Sequence, residues 1–302
     1  MLNKQHVLII GGSSFVAQNF IRLLQDNYVI KTVSRANTGF DNELVVQDFS
    51  SLSSEVFNDI DVVLNCAAIV HQHKEVETSV YNKINFELAV NLAKKAKQVG
   101  VKTFIQLSTI AVYGKLTHVT ESSDENPVNA YGKSKLFADN SLQKMVDPSF
   151  NVIIFRPPMI YGSTNAPGNM MRLISFIAKG LPLPFKGLQN KRDFIHIDNL
   201  IGFIDTSIKK NSSGVFLVSD NSPVFISELY TVIVNCLEKP NRAFKLPTIC
   251  FKVLKKIVPG IYDKLFGNLT IDISSTLSVL DFKPVNLLQQ GIKEMVENLK
   301  TK

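Results

Sequence analysis

Tyr131 and Lys135 lie four residues apart in "NAYGKSKLFAD", a stretch whose pattern places it at the start of a helix. This spacing brings both side chains to one face of the helix, one turn apart. A phenol titrates near pH 10, so a tyrosine that exchanges protons at about pH 7 needs an adjacent cation, which Lys135 can supply. The pair therefore predicts acid–base chemistry, although the same spacing also occurs on solvated helices.

Two hydroxyl groups stand where a ligand is expected to bind. Ser108 and Thr109 come at the end of the predicted strand "KTFIQLS" and precede "IAVYG". The carboxyl ends of parallel strands are the usual ligand sites of open α/β sheets, so these hydroxyls can converge with Tyr131 and Lys135 on one substrate atom. Capping of the strand end is the simpler alternative.

The stretch "IIGGSSFVAQNF" joins an apolar run to a helical pattern and carries an altered glycine motif. In the template G-x-x-G-x-x-G, Gly11 occupies the first place, Ser14 the second and Ala17 the third. The Cβ of Ser14 is expected to crowd a phosphate, whereas its hydroxyl and backbone N–H can donate to one. We predict that the loop binds a dinucleotide. The alternative is that the loop has lost this ability. The predicted contacts are Gly11, Ser13, Ser14, Phe15 and Val16.

The end of the second predicted strand indicates which dinucleotide binds. An acidic residue usually stands there when the cofactor lacks a 2′-phosphate, but "KTVSRAN" offers Ser34 and Arg35 and no carboxylate before Asp41. A guanidinium suits a phosphate through charge-assisted hydrogen bonds. The sequence therefore favours NADP(H), with NAD(H) and a solvated arginine left open.

The elements that must position these residues alternate between strands and helices. Up to about residue 155, β-rich runs such as "HVLII", "DVVLNCAA" and "FNVIIFRPP" are separated by helical patterns, which predicts an α/β fold with a Rossmann-type doubly wound parallel sheet. Beyond residue 160, prolines break the pattern, which predicts a smaller C-terminal lobe. The expected domains are a dinucleotide-binding domain over residues 1–160, to which 191–224 return, and a substrate-binding lobe from 161–190 and 225–302.

The composition is that of an ordinary globular protein. Of the 302 residues, 45% are hydrophobic and 20% charged, and the net charge of +7 is spread without dense basic blocks apart from "KVLKKIV", so no nucleic-acid partner is expected. Cys66, Cys236 and Cys250 are too scattered for a disulfide framework or a metal site. The sequence contains no secretory signal and no apolar run of about 18 residues, so we expect a cytoplasmic protein.

Several motifs together resemble one family over essentially the whole chain. They are "IIGGSSFVA", "NCAA", "LSTIAVYG", "YGKSK", "RPPMIYG" and "NKRDFIHIDNL". The chain resembles an extended short-chain dehydrogenase/reductase of the NAD-dependent epimerase/dehydratase family. The order and spacing of the motifs are more specific than any one of them.

The resemblance implies roles for individual residues. It makes Thr109, Tyr131 and Lys135 the catalytic residues, with Thr109 also against the substrate and Ser108 as a supporting neighbour. Arg192 would grip the substrate pyrophosphate, and Asn169 and Arg172 suit phosphate or sugar contacts. His196, His71 and His73 are expected to pack structurally. The further cofactor contacts are Ser34, Arg35, Asp48, Phe49, Ala67, Ser108 and Lys135.

The resemblance also implies a UDP-linked, N-acetylated hexose from bacterial surface polysaccharide synthesis as substrate. NADPH-dependent reduction of the C4 ketone of a 6-deoxy UDP-4-keto-sugar is favoured, because Ser14 and Arg35 suit a cofactor that must leave. A UDP-hexose 4-epimerase with bound NAD is the alternative, and a non-catalytic dinucleotide sensor is a third. The segment "FKVLKKIVPGIYDKLF" leaves peripheral membrane contact open, with a packed helix as the simpler reading. A homodimer is also left open.

Overall fold

The structure is a computed structural model that describes residues 4–70, 77–163, 166, 168–257 and 266–300. Within these ranges the side chains at positions 248, 252, 254, 298 and 300 are not described. His71 and His73, for which a packing role is predicted, lie outside the described residues.

Thirteen strands lie in the described residues. They are β1 (His6–Ile10), β2 (Val29–Ser34), β3 (Glu43–Val45), β4 (Val62–Asn65), β5 (Thr103–Leu107), β6 (His118–Val119), β7 (Asn151–Arg156), β8 (Met159–Tyr161), β9 (Lys191–Arg192), β10 (Phe194–His196), β11 (Gly214–Leu217), β12 (Val224–Phe225) and β13 (Thr270–Ile271). Seven of them form a sheet in the order β11-β7-β5-β4-β1-β2-β3, in which every neighbouring pair is parallel. The strand order reverses between β1 and β4, which is where such sheets bind ligands.

Ten helices surround the strands in the described part of the chain. They are α1 (Phe15–Leu24), α2 (Thr78–Tyr81), α3 (Leu88–Gln98), α4 (Ala130–Gln143), α5 (Asn169–Ala178), α6 (Ile197–Lys209), α7 (Ile226–Cys236), α8 (Thr248–Ile257), α9 (Ser274–Leu280) and α10 (Leu288–Lys300). A π-helical segment, Asn82–Glu87, joins α2 to α3.

The central sheet is covered on both faces. Alternate residues of β1 belong to two different core clusters, because successive side chains of a strand point to opposite faces. Val7 packs in the cluster that contains Phe20 of α1, whereas Leu8 packs in the cluster that contains Leu92 of α3. The predicted Rossmann-type doubly wound parallel sheet is therefore confirmed.

A third core cluster lies outside the central sheet. It contains apolar residues of α5, α7 and α10, including Ile174, Ile233 and Ile292. Of the short strands, β8 pairs with β10 and β9 with β12, and these strands contribute Tyr161, Phe194 and Val224 to this cluster; β6 pairs with β13, and their Val119 and Ile271 pack in the first cluster. The edge strand β11 of the central sheet comes from the range 191–224, and the division into two domains stays a prediction.

Candidate active site

Gly11 is required by the geometry of the turn between β1 and α1. Its φ is +89°, and a Cβ at this position would lie 2.9 Å from the backbone nitrogen of Ala67. The backbone N–H groups of Gly11 and Gly12 both donate to the Val33 carbonyl, at 2.9 and 3.0 Å. The loop is thus pinned between β2 and the residues that follow β4, so closely that only a glycine fits at position 11.

Ser14 fits its place in the loop because it caps α1. Its backbone is extended, with a φ of −72°, and its Oγ accepts from the Ala17 N–H at 3.2 Å. The same hydroxyl contacts the Cys66 thiol, whose pKa is raised to about 12 by burial although Ser14 and Lys135 lower it. A serine at this position therefore stabilises the start of α1. Its hydroxyl contacts Cys66, and the charge of Lys135 acts on the same thiol.

Four predicted cofactor residues line one cavity of about 460 Å³. These are Arg35, Asp48, Phe49 and Ala67, and the Arg35 guanidinium carbon lies 5.9 Å from the centre of the Phe49 ring. Lys83 also lines the cavity and was not predicted from sequence. The cavity lies where an adenine is expected beside a dinucleotide-binding loop.

The carboxylate of Glu43 lies near Ser34, although no acidic residue directly follows Ser34 in the sequence. Glu43 is on the adjacent strand β3, opposite Thr32, and accepts from the backbone N–H and hydroxyl of Thr38 at 2.8 and 2.7 Å. Desolvation raises the pKa of Glu43, but hydrogen bonds from Thr38 and from the Ser34 hydroxyl lower it below its ordinary value. An anion therefore stands near the end of β2, the position from which an acidic group can bind a ribose.

Tyr131 lies in the first turn of α4, which Asn129 caps by accepting from the Gly132 N–H at 2.8 Å. Burial raises the pKa of Tyr131 to about 12, and a hydrogen bond from the Thr109 hydroxyl opposes that rise. The ring meets that of Tyr81 edge to face, with centroids 6.2 Å apart. The predicted pair of Thr109 and Tyr131 is thus brought together.

Lys135 lies one turn further along α4 and is buried. Its Nζ donates to the Leu107 carbonyl at 2.7 Å. Burial lowers the pKa of Lys135 to about 8, against the charges of Asp139 and Cys66, which raise it. Because the ammonium group is bonded to Leu107, its predicted effect on the pKa of Tyr131 stays a prediction.

Asp139 extends the row of polar side chains on α4, and it was not predicted from sequence. Its Oδ2 accepts from the Ser108 hydroxyl at 2.7 Å and from Arg156 Nε at 3.0 Å. Burial raises the pKa of Asp139 to about 6, whereas Arg156 and Ser108 lower it. The eight-residue spacing from Tyr131, again on one helix face, is the signal that could have found it. The Ser108 hydroxyl is committed to Asp139, so its contact with a cofactor stays a prediction.

Arg156 joins this buried cluster to two further elements. It donates to the Tyr113 hydroxyl at 2.7 Å and pairs with Glu125 at 2.6 Å. Its guanidinium carbon lies 5.2 Å from the centre of the Tyr113 ring. Since buried charges persist only when paired and hydrogen-bonded, this cluster fixes α4 against β7 and against the turn that follows β5.

Asn85 is a further residue that was not predicted. It is buried in the π-helical segment, where its Oδ1 accepts from the Ile69 N–H at 2.8 Å and its Nδ2 donates to the Ser134 hydroxyl at 3.1 Å. The side chain therefore ties the loop after β4 to the catalytic helix α4. Single π-helical turns frequently occur at functional sites.

Three of the four predicted substrate residues, all except Thr109, lie beyond residue 160. Asn169 is the first residue of α5 and is exposed, as is Arg172. Arg192 is partly buried on β9 and donates to the Gly267 carbonyl at 3.0 Å. Their approach to Tyr131 stays a prediction.

His196 is confirmed as a packing residue. It is fully buried, and its ring meets that of Tyr161 edge to face with centroids 5.2 Å apart. A side chain at Gly162 or Gly291 would overlap the ring. Its Nδ1 accepts from the Asp198 N–H at 3.2 Å, so it serves the start of α6.

The fold and the arrangement of the catalytic side chains define one family. The model of the NAD dependent epimerase/dehydratase family matches residues 7–218, more than half of the chain, and the chain belongs to this family.

Two curated relatives are similar over most of their length. A UDP-glucose 4-epimerase of Vibrio cholerae is 34% identical over 310 residues, which cover 96% of this chain and 94% of the relative. An N-acetyl-alpha-D-glucosaminyl-diphospho-ditrans,octacis-undecaprenol 4-epimerase of Escherichia coli O157:H7 is 28% identical, with 86% of this chain and 82% of the relative covered.

Solved structures share the fold. A UDP-glucuronic acid 4-epimerase from Bacillus cereus in complex with NAD matches with a TM-score of 0.79 at 19% identity, covering 98% of this chain and 99% of that one. A UDP-N-acetylglucosamine 4-epimerase from Methanobrevibacter ruminantium matches with a TM-score of 0.80 at 19% identity, covering 99% of both chains. Across the described ranges, no helix of this chain has the length and apolar character needed to span a bilayer.

Proposed function

We propose that the protein is a UDP-sugar 4-epimerase that works with a retained NAD. The observation that carries the proposal is that Thr109, which follows β5, lies next to Tyr131 of α4, the helix that also holds Lys135. The similarity to curated 4-epimerases supports this reading over the C4 ketone reduction that the sequence favoured.

The described residues fit a dinucleotide. The loop of Gly11 leads into the N-terminus of α1, which suits a pyrophosphate, and the cavity with Phe49 can accept an adenine. When bound, NAD supplies the acceptor and donor of a hydride that inversion at C4 requires.

NAD is proposed over NADP because of Glu43. Its carboxylate, held beside Ser34 and Thr38, would repel a 2′-phosphate and can accept from a ribose hydroxyl. The guanidinium carbon of Arg35, the residue that suggested NADP, lies 5.9 Å from the centre of the Phe49 ring in the wall of the same cavity. The NAD held by the Bacillus cereus enzyme supports the same choice.

Tyr131 carries the proton in the proposed reaction. Its phenol oxygen takes the proton of the C4 hydroxyl as that carbon is oxidised, and returns it to the C4 oxygen after the keto-sugar has presented its other face. The Thr109 hydroxyl beside Tyr131 lowers the pKa of the phenol, which favours the phenolate. Lys135, one turn further along α4, is a buried lysine that is proposed to bind the nicotinamide ribose, as the family resemblance implies.

Arg192, Asn169 and Arg172 are proposed to hold the UDP diphosphate and the sugar. Arg192 is partly buried, so a charge-assisted bond to a phosphate there would be worth more than one in open solvent. Burial lowers the pKa of Arg192, yet a guanidinium keeps its charge at neutral pH.

The experiment is product analysis with UDP-glucose, UDP-galactose and their N-acetylated counterparts, with no cofactor added. The C4 epimer is expected from at least one of them. Tyr131→Phe should lower kcat by about a hundredfold or more while the NAD content is unchanged, since only the proton carrier is removed. Tyr28→Phe is the matched control, because Tyr28 donates to Asp205 at 2.7 Å and lies away from the site. Full activity in Tyr131→Phe would refute the assignment.

C4 ketone reduction with NADPH stays the second candidate, since Arg35 at the end of β2 can serve a 2′-phosphate. A dinucleotide sensor would bind NAD but leave every UDP-sugar unchanged. Tyr131 and Lys135 of α4 argue against a sensor, because a protein that only binds a dinucleotide requires no proton carrier.

A further inference from the structure

Positive charge is concentrated in two stretches of the C-terminal part of the chain. Residues 168–192 contain five Lys and Arg, residues 239–257 contain six, and neither stretch contains an Asp or Glu. The whole chain has 33 basic and 26 acidic residues, so this imbalance is local. Such a region attracts anionic partners.

The structure brings the two stretches together. The Phe244 N–H donates to the Leu183 carbonyl at 3.0 Å, and the Lys186 N–H donates to the Phe244 carbonyl at 3.2 Å. The Arg242 side chain donates to the Gly180 carbonyl at 3.0 Å. Residues 180–186 and 242–244 therefore lie side by side, with the exposed Lys186 and Arg242 on them.

Exposed apolar side chains lie on the same surface. On α8, Ile249, Val253 and Ile257 are 65%, 48% and 70% exposed, and their four-residue spacing places them along one helix face. Phe176, Leu181 and Phe244 on the neighbouring segments are also more than one-third exposed. We call these six residues, with the exposed Lys179, Lys186, Arg242, Lys245, Lys255 and Lys256, the α8 surface.

A different face of α8 is anchored to the protein. The Phe251 ring meets that of Phe266 with centroids 5.1 Å apart, and Phe266 meets Phe185, which belongs to the third core cluster, at 6.3 Å. Ile249, Val253 and Ile257 therefore face outward, because the opposite face of α8 packs against the protein through Phe251. Large exposed apolar patches of this kind mark interaction sites.

We propose that the α8 surface docks onto an anionic lipid bilayer. An amphipathic helix whose apolar face is accompanied by lysines binds at the membrane interface, through apolar burial and attraction to anionic headgroups. Lysine is depleted in the cores of protein–protein interfaces, so the combination of charge and apolar side chains fits lipid better than a protein partner.

The α8 surface lies near the predicted diphosphate ligand Arg192, so docking would affect where the substrate binds relative to the membrane. Gly267, which accepts from the predicted diphosphate ligand Arg192, directly follows the anchoring residue Phe266. Docking would therefore place the substrate side of the protein next to the headgroups. The docking proposal itself does not depend on the proposed function.

The test is co-sedimentation of the full chain with vesicles, without substrate. One set is phosphatidylcholine alone, and the other is phosphatidylcholine and phosphatidylglycerol in equal parts. Binding is expected only to the anionic set, and it should weaken as salt is raised. The double variant Ile249→Glu, Val253→Glu should bind about tenfold less or weaker still, because it removes apolar burial and adds like charge to the headgroups.

Val279→Glu on α9 is the matched control, since Val279 is also exposed but lies outside the α8 surface. It should bind as the unaltered chain does, and unchanged thermal unfolding shows that each variant is folded. Equal binding of the double variant and the control, or equal binding to both vesicle sets, would overturn the proposal. Loss of a dimer in the double variant, seen by light scattering without any vesicle binding, would assign the surface to a second copy of the chain instead.

Discussion

Burial shifts the pKa values of Tyr131 and Lys135 in the directions that favour the neutral form of each side chain. The pKa of Tyr131 rises to about 12 and that of Lys135 falls to about 8. A phenol with so high a pKa is an acid and not a base at neutral pH, so a further positive charge must enter before it can take a proton. The oxidised nicotinamide ring carries such a charge, which would make the proton carrier active only in the loaded enzyme.

Lys135→Met provides a pH-dependent test at the residue scale. The pKa of Lys135 falls from 10.5 to about 8 on folding, so between these values the unfolded chain binds more protons and stability rises with pH. Below pH 8 the charged, buried lysine destabilises the fold by about 3 kcal/mol, as each pKa unit is worth about 1.4 kcal/mol. In nucleotide-free protein, the variant should therefore be the more stable at pH 7, while its activity is lost.

Urea unfolding at several pH values measures this difference. The advantage of Lys135→Met should shrink as pH rises from 8 toward 10.5. Lys133→Met is the control, because Lys133 is exposed on the same helix and should show no such change. A gap that stays constant with pH would show that Lys135 is not the buried cation described.

Glu43 and Arg35 allow the choice of cofactor to be tested. Glu43→Gln should strengthen NADPH binding relative to NADH by about tenfold, because it removes an anion near the 2′ position. Arg35→Ala should weaken NADPH by about 1.5 to 3 kcal/mol and NADH little, as expected when a charge-assisted hydrogen bond is lost. Fluorescence titration gives both affinities. Identical changes for the two cofactors would place both residues away from the 2′ position.

At the scale of the elements, α1 depends on its N-cap residue. Ser14 accepts from the Ala17 N–H, so Ser14→Ala should lower the free energy of unfolding by about 1 kcal/mol and Ser14→Gly by only a few tenths. Ser14→Gly should leave NAD binding unchanged or tighter, since it frees space at the pyrophosphate. Urea unfolding and NAD content test the two parts. Marked loss of NAD from Ser14→Gly would show that the hydroxyl is a needed donor.

The central strands could be predicted from sequence because their apolar runs are local signals. "HVLII" and "KTFIQLS" contain β1 and β5, and the reversal of strand order follows from the alternation of strands with helices. Side chains that meet across strands could not be predicted. Glu43 reaches Ser34 only because β3 pairs with β2 in one register, and register is decided by packing in three dimensions.

The C-terminal part was predicted least well, for a related reason. β6 and β13 are two-residue strands whose pairing joins His118 to Thr270, and no periodicity in the sequence marks either strand. The catalytic row was predicted only in part. Tyr131 and Lys135 follow a known spacing, whereas the role of Asp139 depends on Ser108 and Arg156, which approach from β5 and β7.

At the scale of the whole molecule, the glycine loop, the cavity beside Phe49 and the start of α4 all adjoin residues at the carboxyl ends of parallel strands. Gly11 follows β1, Ala67 follows β4 and Thr109 follows β5, and these three strands are neighbours in the sheet. This shared edge explains how one bound dinucleotide can reach from the cavity beside Phe49 to Tyr131. A reaction that oxidises and then reduces the same carbon gains if that dinucleotide stays in place.

The most direct measurement is therefore the nucleotide content of the purified protein, together with its need for added cofactor. The protein should release NAD in stoichiometric amount on denaturation, and it should interconvert a UDP-hexose and its C4 epimer with no cofactor supplied. A protein that is isolated free of nucleotide, and that consumes NADPH in step with the reduction of a UDP-4-keto-sugar, would contradict the proposal and identify a 4-ketoreductase.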